Sequence, residues 1–128
     1  MSDSGLPIDE LRGDFINHWG ETPIVMSAPT GSGKSTQVPR WCLERERALS
    51  VEQNRSSRPI LVIEPRRVAC QSLARRVAEL ESTPLGLGVG YTVRDDDRSS
   101  AETMIRFVTT GVALRMWSER RFADYGSV

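Results

Sequence analysis

The sequence predicts an α/β domain, a parallel sheet with helices on both faces. Three observations lead there. Two short apolar runs, Pro23 to Ala28 (PIVMSA) and Pro59 to Glu64 (PILVIE), are too short for helices and read as buried strands. Each is followed by a segment of helical periodicity. Strand and helix then keep alternating along the chain, which within one sheet demands crossover helices and parallel strands. With 128 residues, 38% hydrophobic and 27% charged, the chain has the size and balance of one domain or less.

The elements follow in order. Ile8, Leu11, Phe15, Ile16 and Trp19 recur at helical spacing behind Pro7 and predict an amphipathic helix that Gly20 ends. The first strand, Pro23 to Ala28, leads through a Gly-rich turn to a helix over residues 33–49, with Pro39 near enough to its start to be tolerated. Residues 50–58 are a polar loop before the second strand. The next helix, residues 66–81, turns Val68, Ala69, Leu73, Val77 and Leu80 inward. A third strand is expected over Val89 to Arg94, then an acidic turn over Asp95 to Ser100, a strand over Thr103 to Thr109 and a helix from Val112 to about Arg121. Gly86, Gly88 and Gly90 lack the dinucleotide-fingerprint spacing and read as turn glycines. Trp19, Trp41 and Trp117 each lie in a helical pattern among apolar residues and are expected in the core, not as base-stacking platforms.

Composition excludes several functions. Basic and acidic residues cancel at 17 each, so the chain carries no global footprint for nucleic acid or a membrane surface, although a local groove can still be basic. The longest apolar runs are far shorter than a membrane span, and the N-terminus carries acid where a secretory leader has base; a cytoplasmic protein with no membrane partner is expected. Cys42 and Cys70 stand apart, with His18 the single histidine, which excludes a Cys/His zinc framework and leaves two reduced thiols. Lys34 is the only lysine among the 17 basic residues. Arginine replaces lysine easily on a solvated surface, but not where a compact ammonium must fit a tight site.

That lysine sits in the most informative segment, Ala28-Pro29-Thr30-Gly31-Ser32-Gly33-Lys34-Ser35-Thr36. It fits the phosphate-loop pattern, except that Ala28 takes the first glycine position. Gly31 and Gly33 lack side chains, so backbone amides can curl around a phosphate as an anion nest. The following helix aims its N-terminal amides at the same point. Lys34 can reach the β- and γ-phosphates of ATP, and the Ser35 hydroxyl can ligate Mg²⁺. A nucleoside triphosphate site follows; what the triphosphate drives does not.

The rest of the chain resembles a known family. Ser27 to Pro39 (SAPTGSGKSTQVP) looks like motif I of the DEAH-box helicases, and Glu64-Pro65-Arg66-Arg67-Val68-Ala69 is similar to their motif Ia. Val89-Gly90-Tyr91-Thr92-Val93-Arg94 matches a segment between motifs Ia and Ib, and Phe107 to Arg115 (FVTTGVALR) looks like motif Ib with its following helix. The four blocks run in the family's order. The resemblance implies a P-loop NTPase of RecA-like fold, an incomplete domain: residues 1–128 as the N-terminal part of a helicase ATP-binding domain that stops before motif II. The only Asp-Glu pair, Asp9-Glu10, lies upstream of the phosphate loop and cannot serve as motif II.

The same resemblance implies residue roles. Ala28, Thr30, Gly31, Ser32, Gly33, Lys34, Ser35 and Thr36 would bind ATP, with Arg76 stacking on its base; Lys34 and Ser35 would act in catalysis, and Ser35 would hold the metal. Arg66, Arg67, Arg94, Thr109, Thr110 and Gly111 would meet the nucleic-acid backbone, RNA being favoured, with Arg67 alternatively supporting its loop and Arg94 alternatively pairing with the neighbouring aspartates. The implied activity is ATP-driven unwinding or translocation on RNA, with the remainder of a helicase chain as partner and no hydrolysis by this piece alone. The arginine bias leans towards a bacterial source. Two other readings compete: a nucleotide-responsive binding module without catalysis, and a small P-loop NTPase or kinase, for which the sequence offers no base reader, lid or second substrate site.

Overall fold

The computed structural model describes residues 5–20, 23–29 and 31–128. The expected first helix divides into a 3-10 turn, Pro7–Leu11, and a short α1, Arg12–His18. The long α2 runs Lys34–Glu52, with Pro39 buried inside it at the cost of one backbone bond to Ser35. Then come β1 (Ile60–Ile63), α3 (Arg67–Leu80), β2 (Val89–Val93), β3 (Asp96–Arg98), β4 (Ile105–Val108) and α4 (Thr110–Ser118), followed by a 3-10 turn at Arg121–Asp124.

The strands form one sheet in the order β1-β4-β2-β3. β4 lies between β1 and β2 and is parallel to both, with Ile63 and Thr92 each opposite Val108. β3 adds an antiparallel edge to β2. Side chains alternate across the sheet, so Ile60, Val89, Tyr91, Ile105 and Phe107 enter the larger core with Trp41, Cys70, Ala74 and Val77 of α2 and α3. Leu61 and Val108 point the other way and pack with Val112, Ala113 and Met116 of α4. The sheet is thus parallel-dominated with helices on both faces.

Three local expectations are corrected. Pro23 to Ala28 joins no ladder among the described residues, and Val25 is 97% exposed. The outer edge of β1 is instead engaged by the C-terminal segment: Leu61 donates its N–H to Ser127 at 2.9 Å, and Gly126 to Pro59 at 2.8 Å. That edge can hydrogen-bond one neighbour, and Ser127 is it. The acidic stretch expected as a turn contains β3, because Tyr91, Thr92 and Ser99 all hydrogen-bond its aspartates. Trp117, expected in the core, is 64% exposed, since α4 buries the stripe Val112, Ala113 and Met116 and carries the indole on its outer side. Trp41 is buried as expected, and Trp19 is half-buried beneath the Arg45 guanidinium.

Candidate nucleotide and nucleic-acid site

The loop that opens α2 is shaped by two glycines with positive φ, Gly31 at 81° and Gly33 at 98°. Gly33 is the residue from which the helix starts; its carbonyl accepts the N–H of Gln37 at 2.9 Å and the Thr36 hydroxyl at 3.1 Å. A Cβ there would also stand 2.6 Å from Leu6 Cδ1. Glycine is therefore required at this position by both φ and space. Ser32 is buried within the loop, its backbone carbonyl taken by Ile8 N–H at 3.0 Å and its N–H by the Pro29 carbonyl at 3.2 Å. The Ser32 hydroxyl is buried with no partner among the described residues.

Lys34 and Ser35 occupy the first turn of α2 and are exposed. The first amides of a helix have no intrahelical acceptor, so this turn presents donors and the positive end of a 19-residue helix at the loop. Lys34 Nζ donates to the Ala28 carbonyl at 3.0 Å, which draws the ammonium across the loop. Ala28 itself is not at positive φ, so the alanine at the first glycine position meets no backbone objection. Thr30 lies outside the described residues.

Beside the loop is a cavity of about 530 Å³, lined by Lys34, Ser35, Ile24, Met26, Glu64 and Leu73 among others. Arg76, one turn beyond Leu73 on α3, is exposed and pairs with Glu79 at 3.1 Å, a solvated i,i+3 contact that a stronger ligand can replace. Positive-φ glycines, unused helix amides, an ammonium and a hydroxyl match a phosphate chain. The metal fit is narrower: Ser35 offers one hard oxygen, and no cluster of three His, Cys, Asp or Glu able to hold a metal occurs among the described residues.

The remaining candidates gather at the C-terminal ends of the parallel strands, where open α/β sheets bind ligands. The register brings Ile63, Val108 and Thr92 level across the sheet, so the residues just beyond them share one edge. Arg66 is exposed at the start of α3, with no ion-pair partner among the described residues. Thr109, Thr110 and Gly111 open α4, and Thr110 and Gly111 are exposed. Arg94 projects from the β2–β3 turn with its side chain 92% exposed; its nearest carboxylate, Asp95, is 3.9 Å away in solvent, a weak pair. Arg67 is spent differently, donating from Nη1 to the Arg94 carbonyl at 2.8 Å. Of its two expected roles, the loop-supporting one has the contact.

No protein-family model matches the chain. It is 47% identical over 111 residues to the "Probable ATP-dependent RNA helicase DHX35 homolog" of Caenorhabditis elegans, covering 86% of this chain and 14% of that protein. It is 42% identical over 115 residues to human "ATP-dependent RNA helicase DHX33", covering 86% and 15%. Among solved structures it superposes on the Escherichia coli DEAH/RHA helicase HrpB with a TM-score of 0.76 at 28% identity, covering 95% of this chain and 15% of that one. The chain is similar to one part of these RNA helicases and of a DEAH/RHA helicase. It spans about one-seventh of the length of these curated relatives, and its α/β fold is that of a helicase RecA-like domain.

Sequence reasoning missed Gln71 and Asp96, which join α3 to the β2–β3 hairpin. The signal was the aspartate run itself, which reads as solvated turn until Tyr91, two residues into β2, is seen to point at it.

Proposed function

We propose that residues 1–128 form the N-terminal part of the first RecA-like domain of an ATP-dependent, DEAH-type helicase acting on RNA in the cytoplasm, bacterial by its arginine usage. The observation that carries this reading is spatial. The phosphate loop and the Arg66, Arg94 and Thr109–Gly111 cluster are linked through α3 and the strands beside it: Leu73 of α3 lines the cavity beside Lys34, Arg66 caps the same helix, and Arg94 and Thr109–Gly111 follow the paired strands β2 and β4.

On this reading the amides of Gly31, Gly33 and the first turn of α2 cradle the phosphates, Ser32 and Thr36 joining them by exchanging their bonds to the Pro29 and Gly33 carbonyls, and Lys34 leaves the Ala28 carbonyl to neutralise charge on the β- and γ-phosphoryl groups. Ser35 holds Mg²⁺, and Arg76 stacks on the base. Phosphoryl transfer to water is the chemistry that ATP supplies. This part of the chain binds and orients, and its single Asp-Glu pair, Asp9-Glu10, lies upstream of the loop, so these residues alone hydrolyse ATP negligibly. Arg66, Arg94, Thr109, Thr110 and Gly111 grip phosphates of a single strand without reading bases, and Arg67 fixes the turn that carries Arg94.

Strand displacement on a partly duplex RNA by the complete gene product tests the proposal. ATP-dependent displacement supports it; ATP binding without displacement or RNA-linked turnover favours the nucleotide-responsive module.

A further inference from the structure

The β2–β3 hairpin is fastened to the N-terminal half of α3 by contacts that converge on one carboxylate. Tyr91 donates its hydroxyl to Asp96 Oδ2 at 2.6 Å, and Gln71 of α3 donates its amide to the same oxygen at 3.0 Å. Arg67, one turn before Gln71, holds the Arg94 carbonyl at 2.8 Å. The Tyr91 ring is buried in the core, so its hydroxyl is a fixed post and not a mobile surface group. At Gly90 a Cβ would lie 2.1 Å from the Arg98 carbonyl, so β3 sits as close to β2 as a glycine permits. Hydrogen bonding from Tyr91, then from Gln71, with Arg67 and Arg98 nearby, holds the Asp96 carboxyl below its ordinary range, as expected of an anion with this many donors. Arg66 and Arg94, one from each of the elements so joined, are both exposed beside this cluster.

We infer that Asp96 is a positioning residue for nucleic-acid binding. Through Tyr91 and Gln71 it locks the hairpin against α3, so that Arg66 and Arg94 are presented at a fixed spacing as paired contacts to successive phosphates of one strand. This inference rests on the proposal that both arginines meet the nucleic-acid backbone. Without the lock the hairpin tip moves independently of α3, and Arg94 must pay the ordering entropy on each binding event.

The test uses the complete protein, a fluorescently labelled oligouridylate and a fluorescent ATP analogue. Arg94→Ala is expected to weaken RNA binding by about fivefold to tenfold and to make its salt dependence shallower by about one counterion. Asp96→Ala is expected to reproduce most of that loss while leaving the affinity for the ATP analogue unchanged, and the double variant is expected to be no weaker than Arg94→Ala alone. Tyr91→Phe keeps the buried ring, removes one strand of the lock and shifts RNA affinity the same way, which keeps the test available should Asp96→Ala fold poorly. Additive losses from Asp96→Ala and Arg94→Ala, unchanged RNA affinity in both lock variants, or lost affinity for the ATP analogue would each overturn the inference. Indifference of RNA binding to Arg66→Ala and Arg94→Ala would overturn the functional reading and the inference together, whereas sensitivity to these two with indifference to Asp96→Ala and Tyr91→Phe would overturn the inference alone.

Discussion

Ile8 donates its backbone N–H to the Ser32 carbonyl at 3.0 Å, tying the N-terminal 3-10 turn to the middle of the phosphate loop. Leu6, two residues earlier, lies against the face of Gly33. Residues far from any phosphate thus fix the curvature of the loop, and Ile8, fully buried, anchors them to the core.

Gly33→Ala is accordingly expected to fail twice. The φ of 98° costs an L side chain about 1–2 kcal/mol, and the new Cβ meets Leu6. Affinity for an ATP analogue, read by fluorescence titration, should fall by about tenfold or more. Adding Leu6→Ala removes the clash but not the strain, and should recover only part of the loss.

Ala28→Gly, by contrast, restores the usual first residue of the loop pattern at a position whose φ does not need it. Nucleotide affinity should not improve. Thermal stability should fall by about 0.5 kcal/mol, because glycine enlarges the unfolded ensemble.

Glu46 is 1% exposed and accepts from Arg55 Nη1 at 2.7 Å and from the Arg58 N–H at 2.7 Å, which closes the polar loop after α2. The Arg55 hydrogen bond holds its carboxyl below the ordinary range. A depressed carboxylate pKa means that its stabilisation is present above the unfolded-state value and is lost as pH falls through the folded-state one. Urea unfolding should therefore show Glu46→Ala destabilised by about 2 kcal/mol at neutral pH, with a smaller difference from wild type in acid.

Burial pushes both thiols, Cys42 and Cys70, up to about 11. A raised thiol pKa gives stabilisation that is complete below the unfolded value and lost as pH rises through the folded one, so stability should decline from about pH 9 towards pH 11. A disulfide-exchange reagent at pH 8 should label neither cysteine rapidly in the native protein, and both on unfolding.

The helices were legible because burial imposes a period: on α3 Val77 is buried and Ala69, Leu73 and Leu80 half-buried as expected. Val68, also expected inward, lies in the first turn and is 71% exposed, the buried face running instead through Cys70, Ala74 and Ala78. The chemistry of the loop was legible because few residue types fit it. Strand pairing was not, since an apolar run such as Pro23 to Ala28 announces burial without naming a neighbour, and here Ser127 holds the β1 edge. Residues Asp96 to Arg98 pair with β2 as a backbone ladder that their turn-favouring composition does not announce, with Tyr91 and Thr92 bonding the aspartate side chains beside it. Trp117 misled because five apolar residues on a short helix, Val112, Ala113, Leu114, Met116 and Trp117, exceed the width of the face it buries, and Leu114 and Trp117 are left outside.

The most direct test of the account is ATP turnover by the complete gene product, with and without single-stranded RNA, beside Lys34→Ala. The account predicts turnover stimulated by RNA and reduced by about 100-fold or more in the variant, because the only ammonium in the loop is gone. Turnover that ignores RNA, or survives the loss of Lys34, would contradict it.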